Sequence, residues 1–579
     1  MPAIIVAIAV LGAFFLAYTF YSKYLAEKVY VLDKSFETPA HEFEDGVDYV
    51  PTNKHVLFGH HFTSVAGAAP IVGPAIAAFW GWLPALLWIT FGTIFAAGVH
   101  DFGSLIVSVR NKGRNIGTLS SDVISTRART MFLIILFFLL TLVNAVFGVV
   151  IAILFVANPG AVIPAVAIIP IAIIIGQYAY RGRGPILIPA LVAVALLYAL
   201  IPVGQALPIE IGGLASIFGL EPRTMWVILI FAYTWFASRL PVWLLLQPRD
   251  YINSFQLFVA LGVIFLGMAV GLNTIVAPAI NSNLPPDSPN IFPFLFITIA
   301  CGAISGFHTL VASGTSSKQL DNEDDARYVG YMGAIGEGSL ALGALLAVTA
   351  GIGAFAAWQE KYPDFATASD GAVGYFTQGV GSFASNLGIP EAAGVIFAAV
   401  VVITFAGTTM DTGIRLQRYI IQEIGEITNI RPLTRNITLT TTIGVLIPLG
   451  LALYPGGDRG GEAGFVFGYL WRLFGTTNQL TAGLALTVVA IYVFTRNRNP
   501  IVQIVPLVFL LAMTTYALFL QLGQFYSEGS WLLLVIDAII FILSLWLIIE
   551  AIVAFNRARG QRGQEGSAQE GASQGGDEE

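Results

Sequence analysis

Long apolar runs separated by short polar loops occupy almost the whole chain, and within the runs apolar and polar residues do not alternate. A helix of about 20 apolar residues can cross the hydrocarbon core of a bilayer, which is about 30 Å thick. Only helices and closed barrels satisfy their backbone groups there, and unalternated runs favour helices. The pattern therefore predicts an all-α polytopic membrane protein with about 15 transmembrane helices (range roughly 14–18). The predicted spans are 2–22, 56–80, 83–108, 131–156, 161–179, 185–203, 224–246, 252–278, 291–314, 328–355, 391–410, 437–454, 464–495, 500–522 and 531–555.

The polar loops fall into a basic set and an acidic or uncharged set. The loop 110–129 opposes one acid, Asp122, with five basic residues: Arg110, Lys112, Arg114, Arg127 and Arg129. Cytoplasmic loops carry the excess of Lys and Arg, so this loop is predicted to lie inside. Alternation then places the other basic loops inside, namely 23–54, 180–184, 247–251, 315–327, 411–436, 496–499 and the tail. The remaining loops fall outside: 204–223, 279–290, 356–390, 455–463 and 523–530.

This arrangement predicts a multi-pass protein of the cell membrane, with its N-terminus outside and its C-terminus in the cytoplasm. Residues 1–555 form one transmembrane domain, and its first run is predicted to be a retained span because it lacks a basic leader and a cleavage site. The external loop 356–390 is expected to contain a surface or re-entrant helix. Residues 556–579 have almost no apolar content and are predicted to be a disordered cytoplasmic tail.

Composition narrows the function. The chain has 579 residues, of which 56% are hydrophobic and 11% charged, with a net charge of −7. No basic tract suggests nucleic acid, and the single cysteine excludes a disulfide framework. No cofactor or metal is predicted. Hydrolase, Walker A and zinc-protease motifs are absent from the sequence, so we expect a carrier driven by an ion gradient rather than an enzyme or an ATP-driven pump.

Glycine and proline interrupt the second run over 58–74, where the candidate substrate-binding residues are His60, His61, Ser64 and Gly67. Such residues break a helix and free backbone groups to face a cavity, as transporters do at their binding sites. The alternative is a kinked packing helix with histidines at its cytoplasmic end.

A second interrupted segment, 301–318, supplies the candidates His308, Ser313 and Gly314. Both segments contain Gly-x-His-x5-Gly, and in the predicted topology they run in opposite directions, as inverted repeats would. Because glycine is abundant in this chain, chance similarity is the alternative. A polar interruption at 471–479 adds Asn478, which either contacts substrate or joins helices by hydrogen bonds.

Ionisable residues inside spans are costly and usually mark a transport pathway. His100 and Asp101 lie near the cytoplasmic end of one span, and Glu337 lies between glycines deep in another. We expect these three residues to carry protons; the alternatives are an interfacial pair and a structurally paired carboxyl. Asp411 and Arg415 are four residues apart on one helix, where they could form a structural clasp.

These segments together resemble the carbon starvation protein A (CstA) family of bacterial inner-membrane transporters. The resemblance covers roughly residues 1–555 and is carried by 56–62, 67–70, 99–102, 240–251, 336–338, 411–419 and 473–480. It divides the domain into a family-like N-terminal part, about 1–400, and C-terminal helices, about 401–555.

The resemblance implies uptake of pyruvate or peptides during carbon limitation, with proton symport in the pyruvate carriers. It also implies the broken-helix core of the amino acid–polyamine–organocation superfamily, to which LeuT belongs, here with extra helices. The expected partners are a small-molecule substrate, protons and the lipid bilayer. A peptide transporter and an uncoupled facilitator or channel remain alternatives, and the oligomeric state stays open.

Overall fold

The computed structural model describes residues 1–46, 48–180, 182, 186–454 and 465–574. Throughout these ranges the chain is helical and forms no β-strand, which confirms the predicted all-α class. Two isolated backbone bridges, Pro2 to Thr274 and Thr52 to Leu320, join loops to each other.

The principal helices are numbered here in chain order. The first nine are α1 (Ala3–Tyr30), α2 (Lys54–Val65), α3 (Ala69–Trp80), α4 (Trp82–Val109), α5 (Thr126–Ala157), α6 (Pro159–Ala179), α7 (Leu187–Ala206), α8 (Pro222–Ala237) and α9 (Leu246–Gly271). The next ten are α10 (Ile291–Thr298), α11 (Ala300–Ala303), α12 (Gly306–Gly314), α13 (Arg327–Ala350), α14 (Phe365–Asn386), α15 (Glu391–Ile427), α16 (Ile437–Ala452), α17 (Gly468–Thr495), α18 (Ile501–Ser527) and α19 (Trp531–Gln574). Shorter helices in the connections include Ile116–Val123 and Phe355–Lys361.

In the described part of the chain, 11 helices are long and apolar enough to cross a membrane, or 12 with the bent pair α2 and α3 counted as one span. The chain is thus a multi-pass membrane protein, but the expected count of about 15 is not confirmed. The three remaining predicted spans are α8, α16 and the interrupted run α10 to α12. Helices α8 and α16 have 16 residues each, which at 1.5 Å per residue is shorter than the hydrocarbon core.

Polar side chains fix where several helices begin. The Asn53 side chain accepts a hydrogen bond from the backbone N–H of His55 at the start of α2, and Ser125 accepts one from Ala128 at the start of α5. Asp364 and Asn436 cap α14 and α16 in the same way. Each cap satisfies a backbone donor that the helix leaves without an internal partner.

The loops predicted to be cytoplasmic contact one another. Arg110 forms an ion pair with Glu323, with 2.5 Å between Nε and Oε1, and its Nη1 donates to the carbonyl of Tyr30. The Lys34 ammonium lies 3.2 Å from the Asp324 carboxylate. These contacts join segments 23–54, 109–130 and 315–327 at one face of the molecule.

The segments predicted to lie outside meet at the opposite face. The Trp80 indole donates to the carbonyl of Pro289 at 3.0 Å, and the bridge between Pro2 and Thr274 joins the start of the chain to this face. Helix α14 begins and ends here, because the Phe365 ring packs on Trp80 and the Asn386 amide donates to Asn273 Oδ1. The surface or re-entrant helix expected within 356–390 stays a prediction.

Some predicted loops lie partly or wholly beyond the described residues. The loop 455–463 lies outside them, as do residues 181 and 183–184 of the inner loop 180–184. The last helix, α19, runs through Gln574, so the backbone of 556–574 is helical where the sequence predicted disorder. Residues 575–579 lie outside the described part.

Candidate functional site

Two helix breaks face each other in the centre of the molecule. Between α2 and α3 the chain bends by 47°, and before α12 the backbone of Ile304 and Ser305 is extended. Gly67 and Ala69 from the first break line a small cavity of about 10 Å³ together with Cys301 and Phe307 from the second. The two interrupted segments are therefore neighbours.

Asn478 on α17 holds the second break in place. Its Oδ1 accepts a hydrogen bond from the backbone N–H of Phe307 at 3.0 Å, and its Nδ2 donates to the Ser305 hydroxyl at 3.1 Å. The amide therefore caps α12 from another helix. This contact supports the structural alternative for Asn478, since its polar atoms are already used within the protein.

A continuous chain of ionisable side chains lies beside this break. Asp101 on α4 bridges two imidazoles: its Oδ1 lies 2.6 Å from Nδ1 of His100, and its Oδ2 lies 2.8 Å from Nδ1 of His308. Nε2 of His308 faces Oε1 of Glu337 at 3.2 Å. All four side chains are fully or almost fully buried. The structure thus brings His308, predicted to contact substrate, together with the three residues predicted to carry protons.

His100 has a hydrogen-bond partner at each ring nitrogen. Its Nδ1 lies 2.6 Å from Asp101 Oδ1, and its Nε2 lies 2.6 Å from the Thr309 hydroxyl. His100 and Asp101 touch directly, although adjacent residues on a helix need not do so.

The contact between His308 and Glu337 is different. The two atoms are close, but they are not aligned as a hydrogen bond, and neither has another hydrogen-bond partner in the described structure. One proton between them would make either an imidazolium facing a carboxylate or an imidazole facing a carboxylic acid. A carboxyl and an imidazole at this separation can exchange a proton after a small movement.

His61 and Ser64 lie apart from this chain of ionisable residues. Nδ1 of His61 lies 2.8 Å from the Ser316 hydroxyl, and the Ser64 hydroxyl is buried with no hydrogen-bond partner among the described residues. His61 belongs to α2 and packs beside Gly333 of α13. It therefore connects the first broken segment to the end of the second.

A cavity of about 440 Å³ opens among the loops predicted to be cytoplasmic. Three predicted substrate-binding residues line it: His60, Ser313 and Gly314. Ser313 also serves the fold, because its hydroxyl donates to the carbonyl of Thr309 at 2.6 Å. Charged side chains from both helices and loops surround the cavity, namely Asp48, Arg114, Lys318, Arg415, Glu423 and Glu426.

A second buried ionic network lies next to this cavity, and the sequence pattern did not predict it. His60 Nδ1 lies 3.2 Å from Asp250 Oδ2, and the neighbouring Arg249 pairs with Asp411. The predicted clasp between Asp411 and Arg415 is therefore wrong, since Asp411 pairs across helices and Arg415 donates to the carbonyl of Leu240. The adjacent charged residues Arg249 and Asp250 could have pointed to this network, but the sequence pattern placed them in a cytoplasmic loop. In the structure both lie inside α9 and are buried.

Membrane-crossing helices that are broken around buried ionisable groups define a class of protein, the polytopic helical transporter. The sequence profile of the family described as carbon starvation protein CstA matches residues 2–359 and 353–517, and the chain belongs to this family.

Relatives extend the similarity over most of the chain. A peptide transporter CstA of Campylobacter jejuni is 34% identical, covering 92% of this chain and 82% of its own length. The pyruvate/proton symporter BtsT of Escherichia coli is 31% identical over 90% of this chain and 82% of its own. The peptide transporter CstA of Escherichia coli is 33% identical over 89% of this chain and 80% of its own. The chain is accordingly a membrane transporter.

Solved structures are more distant. The manganese transporter of Eremococcus coleocola aligns with 89% of this chain and 99% of its own, at 13% identity and a TM-score of 0.43. Similarity at that level is too low to assign the transport core.

Proposed function

We propose that this transporter carries pyruvate or a related small organic anion into the cell together with protons, and that it serves uptake during carbon starvation. The observation that carries the proposal is the buried chain His100, Asp101, His308 and Glu337. A membrane interior holds such groups only at a high cost, and proton pathways are a common reason for them.

The proton-carrying step is assigned to Glu337 and His308. Asp101 holds His308 from the opposite side of the imidazole ring, so its Nε2 stays directed at Glu337. Proton uptake by Glu337 from one side of the membrane and release to the other would then depend on how the helices around it are arranged. His100 and Asp101 are the path by which the proton reaches or leaves this pair.

The substrate is proposed to bind between the helix breaks and the cytoplasmic cavity. Helices α3 and α12 begin at the breaks, and the positive end of a helix dipole favours an anionic substrate between the breaks and the cavity. The proposed contacts are His60, His61, Ser64, Gly67, His308, Ser313 and Gly314. Asn478 is left out of this set because its amide caps α12. His60, Ser313 and Gly314 are supported by their position in the cavity wall.

Transport of di- or tripeptides is the second candidate. Several relatives are named as peptide transporters, and a cavity of about 440 Å³ lies within the range of small-molecule sites, about 300–1,000 Å³. Both candidates are carboxylates, so the same site could serve either.

Orientation and core architecture complete the proposal. We place the N-terminus outside and the C-terminus in the cytoplasm of the inner membrane, because the basic loops 109–130 and 411–436 lie on one face. The two broken segments, α2 with α3 and α10 to α12, are proposed as the related halves of a core like that of the amino acid–polyamine–organocation superfamily.

Uptake into proteoliposomes tests the function. Labelled pyruvate and labelled di- and tripeptides should be compared with and without an imposed proton gradient. We expect pyruvate to accumulate above its external concentration only when the gradient is present and to be lost with an uncoupler. Accumulation of peptides alone would favour the second candidate. Downhill flux that ignores the uncoupler would identify a facilitator and overturn the coupled mechanism.

A further inference from the structure

A buried arginine lies behind the wall of the cytoplasmic cavity. Arg249 on α9 is 2% exposed and Asp411 on α15 is 3% exposed. Arg249 Nη1 lies 2.5 Å from Asp411 Oδ2 and 2.9 Å from the Tyr233 hydroxyl, which itself donates to the same carboxylate oxygen at 3.0 Å. Both hydrogen bonds described for the Arg249 side chain are therefore made by one nitrogen, Nη1.

The other edge of the guanidinium is unused. Nε and Nη2 of Arg249 are buried and have no hydrogen-bond partner among the described residues. These two nitrogens direct parallel N–H groups from one side of the plane, which is the geometry that binds both oxygens of a carboxylate. A buried donor pair left unpaired costs free energy, so a ligand that occupies it gains the full benefit of pairing.

Chain neighbours of Arg249 and Asp411 line the cavity. Leu246 and Gln247 on the first turn of α9 line the cavity, as does Thr412, the residue after Asp411. His60 lines it too and contacts Asp250 behind the wall. The Nε2 atom of His60 is buried and has no hydrogen-bond partner in the described structure. His60 can therefore offer a donor or acceptor in addition to the unused nitrogens of Arg249.

Two further arginines follow Asp411 on α15. Arg415 and Arg418 donate to the backbone carbonyls of Leu240 and Ser238, so neither of these hydrogen bonds goes to a carboxylate. The charged side chains in the cavity wall balance, since Arg114, Lys318 and Arg415 stand against Asp48, Glu423 and Glu426. Recognition of an anion therefore depends on the guanidinium geometry of Arg249 rather than on a net positive cavity.

We propose that the Nε and Nη2 edge of Arg249 binds the carboxylate of the transported substrate, where α9 meets α15. The proposal rests on the proposed function and specifies its recognition site. Because the edge is buried, binding requires the wall formed by Leu246 and Thr412 to open. Pyruvate and the C-terminus of a peptide present the same group, so the site accounts for recognition of either.

Equilibrium binding to the purified protein tests the proposal without a gradient, so a failure of proton coupling does not affect it. The probes are labelled pyruvate, alanyl-alanine and alanyl-alanine amide. The unmodified protein should bind pyruvate or alanyl-alanine at least tenfold more tightly than the amide. Equal binding of alanyl-alanine and its amide, or no binding of pyruvate and alanyl-alanine, would overturn the proposal. Whether pyruvate or alanyl-alanine binds shows which of the two supplies the carboxylate.

Two variants locate the site. Arg249→Lys keeps the positive charge but lacks the planar fork, and we expect at least tenfold weaker binding of the carboxylate probe. The control Arg239→Lys changes an arginine that stacks on Trp235 near the cytoplasmic surface, and its affinity should be unchanged. The double variant Arg249→Gln with Asp411→Asn removes both charges and leaves no unpaired carboxylate, so it should fold and lose binding. Wild-type affinity in either folded Arg249 variant would refute the assignment.

Discussion

At the scale of single residues, the contact between Glu337 and His308 has the most direct consequences. A lone carboxyl between glycines could be recognised in the sequence as an ionisable group within a span. Its partner could not, because His308 lies on another helix, α12, and only the fold brings the two side chains together. Asp101 and His100 were predicted as a unit, whereas the link from Asp101 to His308 required the structure.

Glu337→Gln should separate accumulation from exchange. Glutamine keeps the size and hydrogen-bonding capacity of the side chain but cannot carry the proton. We expect the accumulation ratio in a proton gradient to fall to about one, while exchange of labelled for unlabelled substrate stays within about twofold. The control Glu550→Gln changes a carboxylate that contacts Ser125 away from the buried chain. Normal accumulation by Glu337→Gln would make this residue structural and move the proton path to His100 and Asp101.

His61→Gln should impair binding and exchange together, since His61 is a proposed substrate contact that takes no part in the buried ionisable chain. The expected loss is at least tenfold in exchange rate at low substrate concentration, measured in proteoliposomes. His41→Gln is the matched control, because His41 is an exposed histidine paired with Asp321 on the face predicted to be cytoplasmic. Loss of accumulation with normal exchange in His61→Gln would instead assign His61 to proton coupling.

At the scale of helices, the sequence predicted where the chain breaks but not how many helices cross. Glycine and proline mark both breaks, and the cap at Asn53 marks the start of α2. The lengths of α8 and α16 could not be predicted, because apolar residues continue past the point where each helix ends. The structural role of Asn478 was also hidden, since a polar group inside a span looks the same whether it meets substrate or another helix.

Gly306 and Gly314 of the second broken segment should respond differently to alanine. A methyl group at Gly306 would lie 2.7 Å from the backbone nitrogen of Ala482, so α12 and α17 must separate. We expect Gly306→Ala to destabilise the protein by about 1–3 kcal/mol and to lower transport. At Gly314 the nearest atom is Leu416 Cδ2 at 3.8 Å, so Gly314→Ala should stay within about 0.5 kcal/mol. Thermal unfolding in detergent measures both; equal stability of the two variants would contradict the close packing at the break.

At the scale of the whole molecule, the distribution of Lys and Arg predicted which loops share a face. The contacts among segments 23–54, 109–130 and 315–327 agree with that grouping, although contacts between loops do not fix which face is cytoplasmic. The cavity could not be predicted, because it is lined by side chains from segments far apart in the sequence. Its lining arises only from the way the helices pack.

Cysteine labelling in intact cells tests the orientation. Arg127→Cys lies at an exposed position of loop 109–130 and should react only with a membrane-permeant reagent. Ser282→Cys lies at an exposed position of loop 279–290 and should react with an impermeant one. The native Cys301 is buried and should contribute little background. The reverse pattern of labelling would invert the predicted topology.

The size of the cavity lined by His60, Ser313 and Gly314 predicts that hydration takes part in the transport cycle. A volume of about 440 Å³ corresponds to about fifteen water molecules at the density of the liquid. A carrier that closes this space around one small anion must release most of those waters and take them up again when it reopens. The balance between open and closed states should therefore respond to osmotic pressure. Sucrose, which is excluded from protein surfaces, should favour closure, and a cysteine at Thr412 in the cavity wall should label more slowly as its concentration rises.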